Sequence, residues 1–145
     1  MLAFYLAIAL VAIGALFVVA WGRRGSTGRG TRMAQAMVKG AFWAVGLAFP
    51  LATVCALAYR FPLPMVGYAT GRTSIPEVLL AVVFYGLFGG FPVLLVGGVA
   101  AGAVAYTLGQ PDPQRVRRLV PALAGLVAAV GVGFLAILDK LIGPW

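Results

Sequence analysis

Four long apolar runs, separated by shorter stretches that hold most of the charge, make up the chain. A run of about 20 apolar residues is long enough to cross the hydrocarbon core of a bilayer as a helix. The pattern predicts four spanning helices, over residues 2–22, 36–59, 77–107 and 120–138. We therefore expect an all-α integral membrane protein in which residues 1–145 form one small four-helix bundle.

The third predicted helix has small residues on one face and bulky residues opposite when it is projected at about 100° per residue. The small face contains Gly86, Gly90, Gly97 and Ala101, together with Val93 and Val104. Small residues let the backbones of neighbouring helices approach closely. We expect this face to be a helix-packing surface, and the third helix to be the most protein-contacted of the four.

The third helix, counted from Ile75 to Thr107, is longer than a bilayer requires. Its length is about 50 Å at 1.5 Å per residue, against a hydrocarbon core of about 30 Å. Tilt, a protruding end or a break has to absorb the excess, and a break would fall between Gly89 and Pro92. A kink, a full break and a re-entrant hairpin all fit this pattern, although a hairpin would put the next basic loop outside.

Other helix boundaries carry local sequence patterns. Pro50 lies mid-span in the second helix and is expected to kink or break it, because proline removes a backbone hydrogen bond. Ser74 and Glu77 fit a capping box. Asp112 followed by Pro113 is a helix-start pattern, and Pro121 is expected to restart the chain as the fourth span.

The connection over residues 60–73 is unusually apolar for a loop. Pro62 and Pro64 favour an extended path. Phe61, Met65 and Tyr68 have no evident core to enter. Such a segment either lies on the membrane surface or contacts a partner chain, so these three residues are candidate partner contacts.

Basic residues concentrate in the first and third connections, which together with Lys39 at the start of the second span account for eight of the 11 in the chain. Lys and Arg collect in cytoplasmic loops, so both termini are expected outside, in a prokaryotic inner (plasma) membrane. Arginines in these connections are expected to contact anionic lipid headgroups. They are Arg23, Arg24, Arg29, Arg32, Arg115, Arg117 and Arg118.

Composition supports the membrane interpretation and limits the chemistry. Hydrophobic residues make up 63% of the chain and charged residues 10%, whereas soluble domains carry about 25% charged residues. The net charge of +8 is explained by cytoplasmic loops, so nucleic acid is not an expected partner. The chain has no histidine, one cysteine (Cys55) and three acidic residues at predicted helix ends. We expect no catalytic, cofactor or metal site, and no enzymatic activity.

Two functions of different classes fit this sequence. The first is a non-catalytic accessory or assembly subunit of a larger membrane complex, which contacts lipids and other chains. The second is a small transporter or channel, made of several copies of the chain, in which the broken third helix lines the path. Pro50, Pro92 and the density of glycines favour the second, whereas the scarcity of polar residues in the spans favours the first.

Overall fold

The structure, a computed structural model, describes residues 28–142 with the exception of Val66. Within this part, three helices are long and apolar enough to cross a membrane, and they pack together as one bundle. These helices correspond to the second, third and fourth predicted spans. The first predicted span, residues 2–22, lies outside the described residues, as do Arg23 and Arg24.

Helix α1 runs from Gly28 to Ala58 and contacts each of the other helices. A small residue is buried at every fourth position, so these residues form one stripe that winds slowly around the helix. The stripe consists of Ala36, Gly40, Ala44, Ala48, Ala52 and Ala56. It lets neighbouring backbones approach α1 along most of its length.

The expected break at Pro50 is not present, because α1 continues through this residue as one helix. Proline removes a single hydrogen bond, here the one to the Gly46 carbonyl oxygen. Buried contacts at Ala48 and Ala52 lie on either side of Pro50, while the proline itself is on the exposed side. Tertiary packing therefore maintains a continuous helix through Pro50, and the predicted break is absent.

A short β-hairpin follows α1 where the sequence predicts an extended loop. Strand β1 (Phe61–Leu63) pairs antiparallel with β2 (Gly67–Ala69), and Phe61 lies opposite Ala69. The amide of Gly71 donates a hydrogen bond of 3.2 Å to the carbonyl oxygen of Ala56, which attaches the hairpin to the end of α1. The hairpin is part of the fold and does not lie free of it.

The predicted third helix is divided into two α-helices. A 3₁₀ turn (Arg72–Ser74) leads into α2 (Ile75–Tyr85), a π-helical segment follows (Gly86–Gly90), and α3 runs from Phe91 to Gly109. Ser74 does not cap α2 through its side chain: its hydroxyl donates to the Thr70 carbonyl oxygen at 3.1 Å. The capping-box prediction is therefore wrong, and Glu77 is an exposed residue of the first turn.

Helix α4 runs from Pro113 to Ile142. Its start agrees with the sequence pattern, since the Gln114 amide donates to Asp112 Oδ1 at 2.8 Å. Pro121 lies inside α4 and does not begin a new helix, so the basic segment and the fourth span are one element. The buried face of α4 again repeats every fourth residue, with Val120, Ala124, Ala128 and Val132.

The core has two parts, and they lie towards opposite ends of the bundle. The larger part joins the α1 stripe to Phe61, to α2 and to Leu94. We call the end that carries the hairpin the hairpin end. The smaller part joins Ala36, Ala105, Tyr106 and Val120. It lies near the basic end, which we define by the start of α1, the end of α3 and the start of α4.

Candidate functional site

The backbones of α1 and α3 lie in direct contact. A Cβ atom added to Gly98 would lie 2.6 Å from Ala41 Cα, and one added to Gly102 would lie 2.6 Å from Met37 Cα. Carbon atoms do not approach so closely, so only glycine fits at either position. Gly98 and Gly102 form a small-xxx-small pair on α3, which meets Ala36 and Gly40 of the α1 stripe.

The four predicted packing residues have two different roles. Gly97 faces α4, since a Cβ there would meet Val127 Cγ1 at 2.7 Å, and Ala101 is buried. Gly86 and Gly90 face their own segment: a Cβ on Gly86 would meet the Phe91 ring, and one on Gly90 would lie 2.9 Å from the Tyr85 carbonyl oxygen. The first pair serves helix packing, and the second pair serves the break.

The projected face is wrong in part, because Val93 and Val104 are exposed. The projection assumed one continuous helix, whereas the π segment adds a hydrogen bond between residues five apart, from the Phe91 amide to the Gly86 carbonyl oxygen. Residue positions around the helix axis are therefore out of register between the two sides of that segment. The glycines at 98 and 102, which the projection missed, are visible in the sequence as a G-x-x-x-G pattern.

The break itself is at Gly89, which has φ 130° and ψ −14°. Residues with a Cβ rarely adopt this conformation, so glycine is required. Pro92 lies in the first turn of α3, where its missing N–H costs little. The chain continues in the same sense after the π segment and does not turn back as a hairpin, so the break is a kink between two helices.

Aromatic rings surround the break. Phe61 of the hairpin meets Tyr85 edge to face at 6.4 Å between ring centroids, Tyr85 meets Phe84 at 5.7 Å, and Phe84 stacks on Phe88 at 4.5 Å. A separate pair joins Phe49 of α1 to Phe91 at 6.5 Å. We call these six residues the aromatic cluster, and it ties α1, the hairpin and the break together.

The three candidate partner contacts in the hairpin separate into one core residue and two surface residues. Phe61 is 0% exposed, so it is not available to a partner, and that expectation is corrected. Met65 is 87% exposed and Tyr68 is 37% exposed. The Tyr68 ring lies 4.2 Å from the Arg60 guanidinium carbon, which also lies 5.2 Å from the Tyr59 ring. This cation–π contact fixes Tyr68 at the surface.

The basic end contains an open cleft of about 1050 Å³ between α1 and α4. Arg32 and Lys39 on α1 and Arg117 on α4 line it, beside Gln35 and the end of α3. Arg115 and Arg118 are exposed on α4 and do not line the cleft. The side chain of Arg29 is outside the described part of the chain. Of the predicted lipid contacts, Arg32 and Arg117 are thus brought together.

Chemistry-bearing groups are few among the described residues. They contain no group of three or more His, Cys, Asp or Glu side chains that could hold a metal ion. Cys55 Sγ donates to the Arg60 carbonyl oxygen at 3.4 Å, which links the end of α1 to the hairpin. This hydrogen bond gives the thiol a structural role.

Comparisons of the chain with protein-family models, curated proteins and solved structures find no match. The features that bear on function are the hairpin surface, the break and the basic cleft.

Proposed function

We propose that the protein is a non-catalytic accessory or assembly subunit of a larger complex in a prokaryotic inner membrane. It would lie with the basic end in the cytoplasm and the hairpin outside, surrounded by lipids and in contact with other membrane chains or further copies of itself. The observation that carries the proposal is the hairpin. Its base is packed in the core, and it exposes an apolar side chain at the surface.

Met65 is the main element of this surface. It is almost fully exposed and has a φ of 64°, in a region that non-glycine residues seldom adopt. Strain of this kind persists only where the surrounding structure enforces it, and it is common at binding sites. Burial of a methionine side chain against a partner contributes roughly 1.5–3 kcal/mol. An exposed methionine in the same hairpin as a tyrosine held by Arg60 fits a protein contact.

Experiments on the hairpin test this function. The chain is purified from its native membrane in mild detergent, and stoichiometric co-purifying chains are identified. M65S/Y68S is expected to lose these chains while its helical content stays unchanged. M65L/Y68F is the matched control, because it keeps the apolar bulk and the ring next to Arg60, and it is expected to retain them. Equal retention by both double variants would contradict a hairpin contact.

The second candidate function is a homo-oligomeric transporter or channel, and the kink at Gly89 is the observation that favours it. Broken helices at membrane depth occur in transporter binding sites. Against this role, the break lies beside the aromatic cluster, and the buried core of the described chain consists of Ala, Val, Leu, Phe, Tyr and Gly with one proline. A solute path needs polar lining.

Flux through liposomes that contain only this protein separates the two functions. The accessory function predicts no solute-selective flux. Saturable flux that is lost in P92A would establish the transporter instead.

A further inference from the structure

We infer that the basic cleft between α1 and α4 is a binding site for one anionic phospholipid, with the phosphate at the charged end and an acyl chain along the apolar wall. This site goes beyond the accessory function and does not depend on it. The inference rests on charge, on the arrangement of the walls and on the position of the cleft at one end of the bundle.

The charge in the cleft is positive and uncompensated. Arg32, Lys39 and Arg117 line it, and no acidic residue does so within the described part of the chain. The whole sequence holds only three acids, and two of them, Glu77 and Asp139, belong to the hairpin end. Three cations around one cavity repel one another, and a phosphate or phosphodiester relieves that repulsion through charge-assisted hydrogen bonds.

Asp112 is the acidic residue nearest to the cleft, but it has another role. Its Oδ1 atom accepts the Gln114 amide at 2.8 Å and so caps α4. It is exposed and does not line the cavity. Its carboxylate keeps its charge, but Asp112 lies outside the lining, and the three lining cations outnumber it, so the cleft still attracts an anion from outside the chain.

The walls show that the ligand is amphipathic. Along α1 the lining changes from Arg32, Gln35 and Lys39 to Trp43, a distance of about 16 Å at 1.5 Å per residue. On α4, Pro113 and Val116 precede Arg117 in the lining, and Val120 and Pro121 extend the apolar wall beyond it. A free phosphate would use only the charged part. A phospholipid fills both parts, since its headgroup is charged and its acyl chain is apolar.

The position of the cleft supports a lipid. It lies at the basic end. The positive-inside rule puts this end on the cytoplasmic side, next to the headgroups of that leaflet. Trp43 is 48% exposed on the apolar wall, and tryptophan is favoured at the boundary between headgroups and acyl chains. Basic pockets between spanning helices on this side suit anionic headgroups.

Trp43 also provides a direct probe. The chain has three tryptophans, so W21F/W145F leaves Trp43 as the single one. This protein is reconstituted in phosphatidylcholine bilayers, and brominated phosphatidylglycerol or brominated phosphatidylcholine is titrated in. Bromine quenches indole fluorescence on contact. The site predicts half-maximal quenching at a lower fraction of the anionic lipid than of the neutral one. Equal quenching by both lipids would overturn it.

Two charge-matched variants separate a site from general surface attraction. R32Q/R117Q removes two cations from the cleft, and R115Q/R118Q removes two exposed cations from the same end of the bundle. At roughly 1 kcal/mol per cation, R32Q/R117Q should raise the half-quenching fraction of phosphatidylglycerol roughly 30-fold. R115Q/R118Q should stay close to the parent value. Similar shifts for both pairs would mean diffuse attraction and would sink the site.

Two further experiments test whether charge holds the lipid and whether the ligand is a lipid or a free phosphate. R32K/R117K retains both charges and is expected to restore most of the anionic preference; failure to restore it would show that charge is not what holds the lipid. Inorganic phosphate and glycerophosphate are then added to the parent protein in the presence of brominated phosphatidylglycerol. No competition is expected, because neither fills the apolar wall. Competition at millimolar concentration would assign the cleft to a free phosphate and overturn the lipid proposal.

Discussion

The hairpin end and the basic end of the bundle differ in how they are closed, although α1 runs through both. At the hairpin end, Phe61 and Ala69 are buried and the aromatic cluster fills the space around the break. At the basic end, the helices leave a cleft of about 1050 Å³ lined by three cations. Among the residues that the structure describes, buried side chains close the hairpin end, whereas the basic end contains a cleft.

The difference follows from the residues that each end brings together. Aromatic rings gain from mutual contact and from being surrounded, so Phe61, Tyr85 and Phe84 draw the hairpin onto the helices. Cations are costly to bury without partners, and Arg32, Lys39 and Arg117 remain exposed along the cleft. A closed end suits a fixed surface for another chain, and an open basic end suits an anionic ligand.

Substitution of Gly98, at the contact between α1 and α3, should have the largest effect on stability. G98L would push a side chain into the α1 backbone, where Ala41 Cα lies 2.6 Å from the added Cβ. We expect loss of the assembled bundle, at more than about 3 kcal/mol. The matched control is G46L on α1, because a Cβ there meets nothing within 4 Å. Unfolding in SDS, followed by circular dichroism, measures both. Equal tolerance would mean that α1 and α3 do not touch at Gly98.

Truncation of a ring should affect the two ends unequally. F61A leaves a cavity in the closed end and should lower the free energy of unfolding by about 3 kcal/mol. W43A removes a larger ring, but this ring is half exposed at the open end, so its loss should lower the stability by less. The same SDS titration compares them. A larger loss for W43A than for F61A would reverse the proposed contrast between the ends.

The kink should depend on one glycine. G89A places a Cβ on a residue with φ 130°, and strain of this kind costs about 1–3 kcal/mol. G46A, at an exposed helical position with free space, should be neutral or slightly stabilising. Relative thermal stability in detergent tests the pair. A stable G89A variant would indicate that the segment refolds into a regular helix at no cost.

The two helix starts should show the smallest effects. D112A removes the hydrogen bond from the Gln114 amide and should cost about 1 kcal/mol. S74A removes only the hydroxyl bond to the Thr70 carbonyl oxygen and no cap of α2, so its effect should be smaller. Thermal unfolding of the two variants under one condition provides the test, and the opposite order would restore the capping role of Ser74.

The sequence alone predicted what depends on local pattern and solvent. Long apolar runs require lipid or a protein core around them, and in lipid they must be helical, because an unpaired backbone cannot face hydrocarbon. This predicted the three helices that the structure describes as long and apolar enough to cross a membrane. Gly89 to Pro92 was a correct place for the break, since glycine permits the conformation that a kink needs. Asp112 was a correct helix start, because its cap involves residues two apart in the chain.

Only the tertiary structure decided which surfaces meet. A helical projection cannot locate the packing face across a π segment, so it found Gly97 and Ala101 but missed Gly98 and Gly102. It could not place Phe61 in the core, because the partner ring of Tyr85 is distant in sequence. Nor could it show that Arg32, Lys39 and Arg117 share a cleft that Arg115 and Arg118 avoid. These facts depend on the contact of α1 with α3 and α4, and contacts between distant segments are set by the packing of whole helices.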